Sequence, residues 1–271
     1  MRTKAYANFT LSPHLFQSLL NSSTQIPAVD RHAYLGSMND LAATLPMIAD
    51  LLAGRQPGLW TIVGLSLQVS ALATLVASVL ALPLAAAIAL FDFRGRNFFI
   101  AVLNALMGLP AVVVGLLVYL LLSRAGPLGP LGILFTPSAM VIAQAILVLP
   151  LVTALARQML EDTLRELGPY LRSLKASRTD LVLTVLTETR LSLVTALLAG
   201  FGRAAAEVGA VMIVGGNIEG VTRTMTTAIA LETSKGDLAL ALSLGFILIA
   251  IVLAVNACAQ WLRVRTHAAI G

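Results

Sequence analysis

Residues 60–90 read WTIVGLSLQVSALATLVASVLALPLAAAIAL, and no residue between Arg55 and Asp92 carries a charge. A helix needs about 20 consecutive apolar residues to cross a bilayer, so this run is long enough to span one with tilt to spare. Pro83 lies inside it. A proline kinks a helix, but neighbouring helices in a membrane can satisfy the carbonyl it frees. No polar turn separates Trp60 from Phe91, which predicts one long helix. Charge-free runs also lie between Arg96 and Arg124, Arg124 and Arg157, and Asp237 and Arg263. They predict spans near 98–122, 136–156 and 238–262. A fifth run, 191–218, is interrupted by Arg203 and Glu207. Its flanks, LSLVTALLAGFG and VGAVMIVGG, are too apolar for a surface helix. The expected fold is all-α: a polytopic transmembrane bundle of five spans covering residues 60–265.

Composition agrees. The chain has 271 residues, 58% hydrophobic and 11% charged, against roughly 25% charged in soluble domains. Its mean hydropathy is +0.89. A cytosolic enzyme, a disordered chain and a secreted disulfide scaffold are excluded; the single Cys258 forms no internal bridge. The net charge of +5 comes from basic residues beside apolar runs. No basic stripe with interleaved aromatics exists, so nucleic acid is not an expected partner.

Lysine and arginine placement sets orientation. Arg94 and Arg96, then Arg157, Arg165, Arg172, Lys175, Arg178 and Arg190, then Arg263 and Arg265 mark the cytoplasmic side. The alternate loops hold only Arg124 on one side, and Arg223 and Lys235 on the other. The C-terminus is expected inside and the N-terminus outside. Trp60 and Trp261 suit the two interfaces. Residues 1–59 read as an N-terminal extension with no span or signal-peptide core. Leu41, Leu45, Ile48 and Leu52 predict a short interfacial helix over about 40–53. Residues 1–36 are expected to be disordered, unless translation begins at Met38.

The region between the third and fourth spans carries Leu160, Leu164, Leu167, Leu171 and Leu174 at alternating four- and three-residue steps, an amphipathic helix pattern. Gly168-Pro169 is expected to end one helix near Leu167 and start a second over about 169–176. A third should start near Thr179-Asp180, an N-cap pair. Such a segment either lies on the headgroups or docks a soluble partner.

The chain has no G-x-x-x-x-G-K-[ST] loop, no G-x-S-x-G elbow and no zincin helix. His14, His32 and His267 are far apart, without metal-ligand spacing. No enzyme activity, cofactor or metal is expected. Arg203 and Glu207 are four apart and can pair on one helix face. They read either as a structural ion pair or as part of a solute route, since charge within a membrane usually marks a pathway. With no second intramembrane acid, a proton-coupled carrier is disfavoured.

From Gly202 the chain reads GRAAAEVGAVMIVGGNIEGVTRTMTTAIALETSKGD. This resembles the membrane subunit of ATP-binding-cassette importers of the molybdate, sulfate and tungstate group. That group shows Glu-x-Gly-Ala, then Gly-Asn-Ile, a Gly, and Thr-x-Thr leading to Ala-Ile. The matching residues are Glu207, Gly209, Ala210, Gly216, Asn217, Ile218, Gly220, Thr222, Thr224, Ala228 and Ile229. The stretch 104–150 also looks like this family. Met225-Thr226-Thr227 stands where the molybdate and sulfate branches usually carry a proline, and this variant looks like the tungstate branch; molybdate and sulfate are the alternatives. The family's cytoplasmic E-A-A-x-x-x-G pattern is followed by nine residues and I-x-L-P. It is poorly kept: in the better register Pro169 stands for its Glu, Lys175 for its Gly and Val185 for its Ile, and with Gly168 as the Gly instead, Arg178 falls at the Ile position.

The resemblance implies a homodimer in the lipid membrane, a separate ATPase subunit and an extracytoplasmic oxyanion-binding protein. It implies ATPase coupling through a docking helix, placed at Leu171, Leu174, Lys175, Ala176 and Ser177. The route for the anion is placed at Arg203, Glu207, Asn217, Thr222 and Thr224. Asn217, Thr222 and Thr224 can donate hydrogen bonds to oxyanions, or can equally cap helices and form turns. The rival classes are a passive channel or secondary carrier, and a membrane scaffold.

Overall fold

The computed structural model describes residues 58–268 together with 44, 46–48 and 50, the side chains of 259 and 262–268 excepted. The expected extension 1–36, the alternative start at Met38 and most of the helix at 40–53 lie outside these residues. The described residues of that helix are helical. Ser243 Oγ donates to the Thr44 carbonyl at 3.3 Å.

Among the described residues every regular element is helical. Helix α1 (Leu59–Leu90) runs unbroken through Pro83. After a five-residue loop come α2 (Arg96–Met107) and α3 (Ala111–Leu122). Then come a 3-10 turn (Gly129–Leu131) and α4 (Pro137–Ser173). The chain continues with α5 (Arg178–Ala205), α6 (Gly209–Gly215), α7 (Met225–Lys235) and α8 (Leu238–Ala268). Four helices, α1, α4, α5 and α8, are long and apolar enough to cross a membrane, and the bent pair α2–α3 makes up to a fifth.

The core is built on small residues. In lipid, apolar area gives little drive for helix association, so close contact through small side chains matters more. Ala73, Ala77, Ala81 and Ala85 recur every four residues along α1 and are fully buried. They meet α4 and α5: Ala77 and Ala81 lie with Ala145, Val148, Val152 and Ala204, and Ala85 lies with Ala156, Leu160, Val185 and Ala196. The buried hydroxyls of Thr74 and Ser78 donate to carbonyls of their own helix, at 2.8 and 2.5 Å. The opposite face of α1 exposes Leu72, Leu75, Val76, Val79 and Leu80, as a lipid-facing surface should.

Three expectations need correction. The span at 98–122 is two helices bent by 95°. Gly108-Leu109-Pro110 makes the break: Pro110 has no N–H to give, and its ring drives Leu109 out of helical geometry. The run 191–218 is not one helix, because α5 ends at Ala205 and a short α6 follows. Gly168-Pro169 breaks nothing. Helix α4 passes through both residues to Ser173, so there is no separate helix over 169–176. Pro169 is exposed near the helix end, where one lost backbone bond leaves the freed carbonyl open to water.

Candidate functional site

Two polar regions interrupt this bundle. The first is the elbow between α4 and α5. Ala176 N–H donates to the Leu171 carbonyl at 3.1 Å and Lys175 N–H to the Arg172 carbonyl at 3.0 Å. This is the paired bond set of a Schellman cap, in which the residue after the cap takes left-handed geometry. That residue is Lys175, with φ of 56°. A glycine pays little for that conformation. The next helix starts at once. Ser177 Oγ accepts the Asp180 N–H at 3.1 Å, and an Asp180 carboxylate oxygen accepts the Ser177 N–H at 3.1 Å. The cap is therefore Ser177, with Asp180 as its reciprocal partner, rather than the Thr179-Asp180 pair. Leu174 is 61% exposed at the tip, and Tyr170 and Leu183 are exposed as well. Lys175 and Ser177 are exposed, while Leu171 and Ala176 are half-buried. A cavity of about 530 Å³ lies beneath the elbow. Its walls include Leu90, Asp92, Leu164, Arg172, Arg178 and Leu181.

The second region is the break between α5 and α7. Arg203, in the last turn of α5, donates to Glu207 just past the helix end. The pair expected inside a span thus brackets a break. Glu207 is 4% exposed. Its other oxygen accepts the Ala210 N–H at 3.2 Å, so it caps α6. Gln144 of α4 donates to the Ala204 carbonyl at 3.0 Å, and the Thr226 hydroxyl donates to the Glu207 carbonyl at 2.8 Å. The Ala204 and Glu207 carbonyls and the Ala210 N–H thereby find partners at the break, as backbone groups freed within a membrane protein require. Gly209 and Ala210 then let α6 press on α3. A Cβ at Gly115 would stand 2.7 Å from Ala210 Cα, and one at Gly209 would stand 2.8 Å from a Val112 methyl.

The loop after α6 is held from within. Gly216, Asn217 and Gly220 all have positive φ. The Thr222 hydroxyl donates to the Gly215 carbonyl at 2.5 Å and accepts the Ile218 N–H at 2.9 Å. Thr224 caps α7 through a reciprocal set with Thr227, and both hydroxyls are buried. Asn217 Nδ2 reaches the Thr227 carbonyl at 3.5 Å. The Glu-x-Gly-Ala and Gly-Asn-Ile residues thus have architectural work: capping, close approach and tight turning. The structure gathers Arg203, Glu207, Thr224 and Thr226 around the break. It seats Thr222 in the turn between α6 and α7.

Sequence reading missed Gln144 and Thr226. Gln144 was visible as an amide in the uncharged run between Arg124 and Arg157, but nothing local says which carbonyl it serves. It also missed a charge cluster at Glu161. That carboxylate receives Arg96 and Arg157 at 2.7 Å each and Arg165 at 3.7 Å. The signal there was Arg157 and Arg165, each four residues from Glu161.

No protein-family model matches the chain. Among curated proteins, it is 43% identical over 211 residues to a probable anion ABC transporter permease of Haloferax volcanii, covering 76% of this chain and 91% of that protein. It is 41% identical over 208 residues to the tungstate uptake system permease of Peptoclostridium acidaminophilum, covering 77% and 91%. A more distant match, 31% over 188 residues, is the molybdenum transport system permease of Escherichia coli, covering 66% and 82%.

Proposed function

We propose that this chain, which belongs to the permease subunits of ATP-binding-cassette anion importers, is the membrane subunit of a tungstate importer. It works as a homodimer, takes its ligand from an extracytoplasmic oxyanion-binding protein, and is driven by a separate ATPase docked on the elbow at 171–177. Tungstate is favoured because a tungstate permease matches at 41% over most of both chains, while the molybdenum permease matches at 31%. Lysine and arginine placement puts the elbow and the C-terminus in the cytoplasm and the N-terminus outside.

The observation that carries coupling is the length of α4, which is continuous through Pro150 and Pro169. Its 37 residues make a rod of about 55 Å, roughly 25 Å longer than the bilayer's hydrocarbon core. An ATPase that moves the capped elbow therefore moves a lever continuous with the bundle. Closing the two ATPases draws the two elbows together, tilts α4 and α5, and exchanges an inward opening for an outward one. The unit 203–227 forms the wall of the route. Glu207, Asn217, Thr222 and Thr224 hold its backbone and the Arg203 charge is paired with Glu207, so the passing oxyanion meets a polar wall without a fixed cationic trap.

The test is uptake by proteoliposomes holding the chain with its ATPase, supplied with the loaded binding protein. ATP-dependent tungstate accumulation, above molybdate and sulfate, is the expected result. Preferred molybdate uptake would overturn the ligand assignment. Flux without the ATPase would make the chain a channel or carrier, and no flux under any condition would make it a scaffold.

A further inference from the structure

We propose that the Arg96–Glu161 pair is the joint that passes elbow motion to α1 and to the bent pair α2–α3. This rests on the coupling role given to the elbow.

Most ion pairs described here join neighbours on one stretch of chain. Arg157–Glu161, Arg203–Glu207 and Arg223–Glu219 are four residues apart, and Arg165–Asp162 and Lys235–Glu232 are three. Arg96–Glu161 spans 65 residues. Glu161 is 12% exposed, which reduces screening by water, and its charge is held by three guanidinium groups. Arg96 uses the two arms of its fork on different helices. Nη2 donates to Glu161 of α4 at 2.7 Å, while Nε donates to the Ile88 carbonyl at 2.7 Å. Ile88 lies in the last turn of α1, where carbonyls lack a following N–H and a cation complements the helix dipole. Arg96 is itself the first residue of α2. One side chain therefore clasps three helix segments.

Its place on the lever is specific. Glu161 and Leu174 are thirteen residues apart, about 20 Å along the helix. Between the elbow and the end of α1 lies the cavity bounded by Leu90, Asp92, Leu164, Arg172 and Leu181. The elbow thus has open space toward α1, and the first polar tie met along α4 from the elbow to α1 or α2 is Arg96–Glu161. Arginine suits this duty because its rigid fork engages two acceptors at fixed directions, which a lysine ammonium on a flexible stem does not reproduce.

The test compares two arginines that touch the same carboxylate. Arg96→Gln cuts the tie between helices. Arg165→Gln removes the same charge from a partner on α4 itself, 74% exposed. Complexes with the ATPase and binding protein are purified, and tungstate taken up per ATP hydrolysed is measured in proteoliposomes. Arg96→Gln should keep ATPase recovery and hydrolysis within twofold of wild type but lower uptake per ATP at least fivefold. Arg165→Gln should stay within twofold, and Arg96→Lys should fall between. Unchanged uptake per ATP in Arg96→Gln, or an equal loss in Arg165→Gln, overturns the joint. So does loss of ATPase recovery in Arg96→Gln, because that marks a folding role. Wild-type complexes that fail to transport would instead overturn the importer reading, which keeps the two failures distinct.

Discussion

The elbow at 171–177 and the break at 203–210 both interrupt long helices, yet they are closed by opposite means. At the elbow every cap comes from within seven residues: Leu171 and Arg172 serve Ala176 and Lys175, and Ser177 serves Asp180. At the break, two of the closing groups come from far away, Gln144 from α4 and Thr226 from the start of α7. A self-capped turn in water can move as a unit without opening a hydrogen bond elsewhere. A break closed by distant partners moves only with them. The first arrangement suits a handle and the second suits a wall.

The largest expected effect that sharpens this contrast is at the handle. Leu174→Asp places a charge on a tip that is already exposed, so the fold should persist. Recovery of the partner ATPase in affinity purification should drop more than tenfold. Undiminished recovery would remove the elbow from the docking surface.

The wall comes next. Glu207→Ala leaves Arg203 without its partner and the Ala210 N–H without its cap, at a carboxylate that is itself buried. Losing one member of a buried, hydrogen-bonded pair typically costs several kcal/mol, although Arg203 is half-exposed and the loss is correspondingly smaller. Uptake or assembled complex should fall about tenfold. Glu219→Ala, at a side chain 82% exposed, should change either by less than twofold. Equal losses from the two substitutions would erase the distinction between the wall and its exposed loop.

The smallest effect returns to the elbow. Lys175→Gly relieves a left-handed non-glycine residue, a conformation that costs roughly 1–2 kcal/mol. The flexibility of glycine in the unfolded chain takes part of that back. The purified protein should be more stable by about 1 kcal/mol in thermal unfolding, with ATPase recovery retained. A destabilised variant would show that the lysine side chain itself holds the turn.

Much of the bundle was legible in the chain. Charge-free runs marked α1, α4 and α8 because crossing lipid imposes a length and a composition that any window can read. The leucines of 160–174 announced helical structure but not its continuity past Gly168-Pro169, and the 202–237 stretch carried the family. Helix continuity was less legible. Pro83 and Pro169 both lie inside helices while Pro110 stands at a break, and the residue is the same each time. What differs is whether neighbours reward the bend. Pro110 follows Gly108-Leu109 and lets α3 turn onto α6, where Gly115 meets Ala210.

Sequence by itself determined that this protein lives in lipid, which runs are apolar enough to cross it, and where charges gather beside those runs. These are sums over neighbouring residues and need no knowledge of what lies opposite. Tertiary structure alone decided where 191–218 breaks, which carbonyl Gln144 serves, and that Arg96 reaches Glu161. Each of these pairs groups at least nineteen residues apart, or rests on such a pair, and a buried polar group is stable only where its partner is placed by packing.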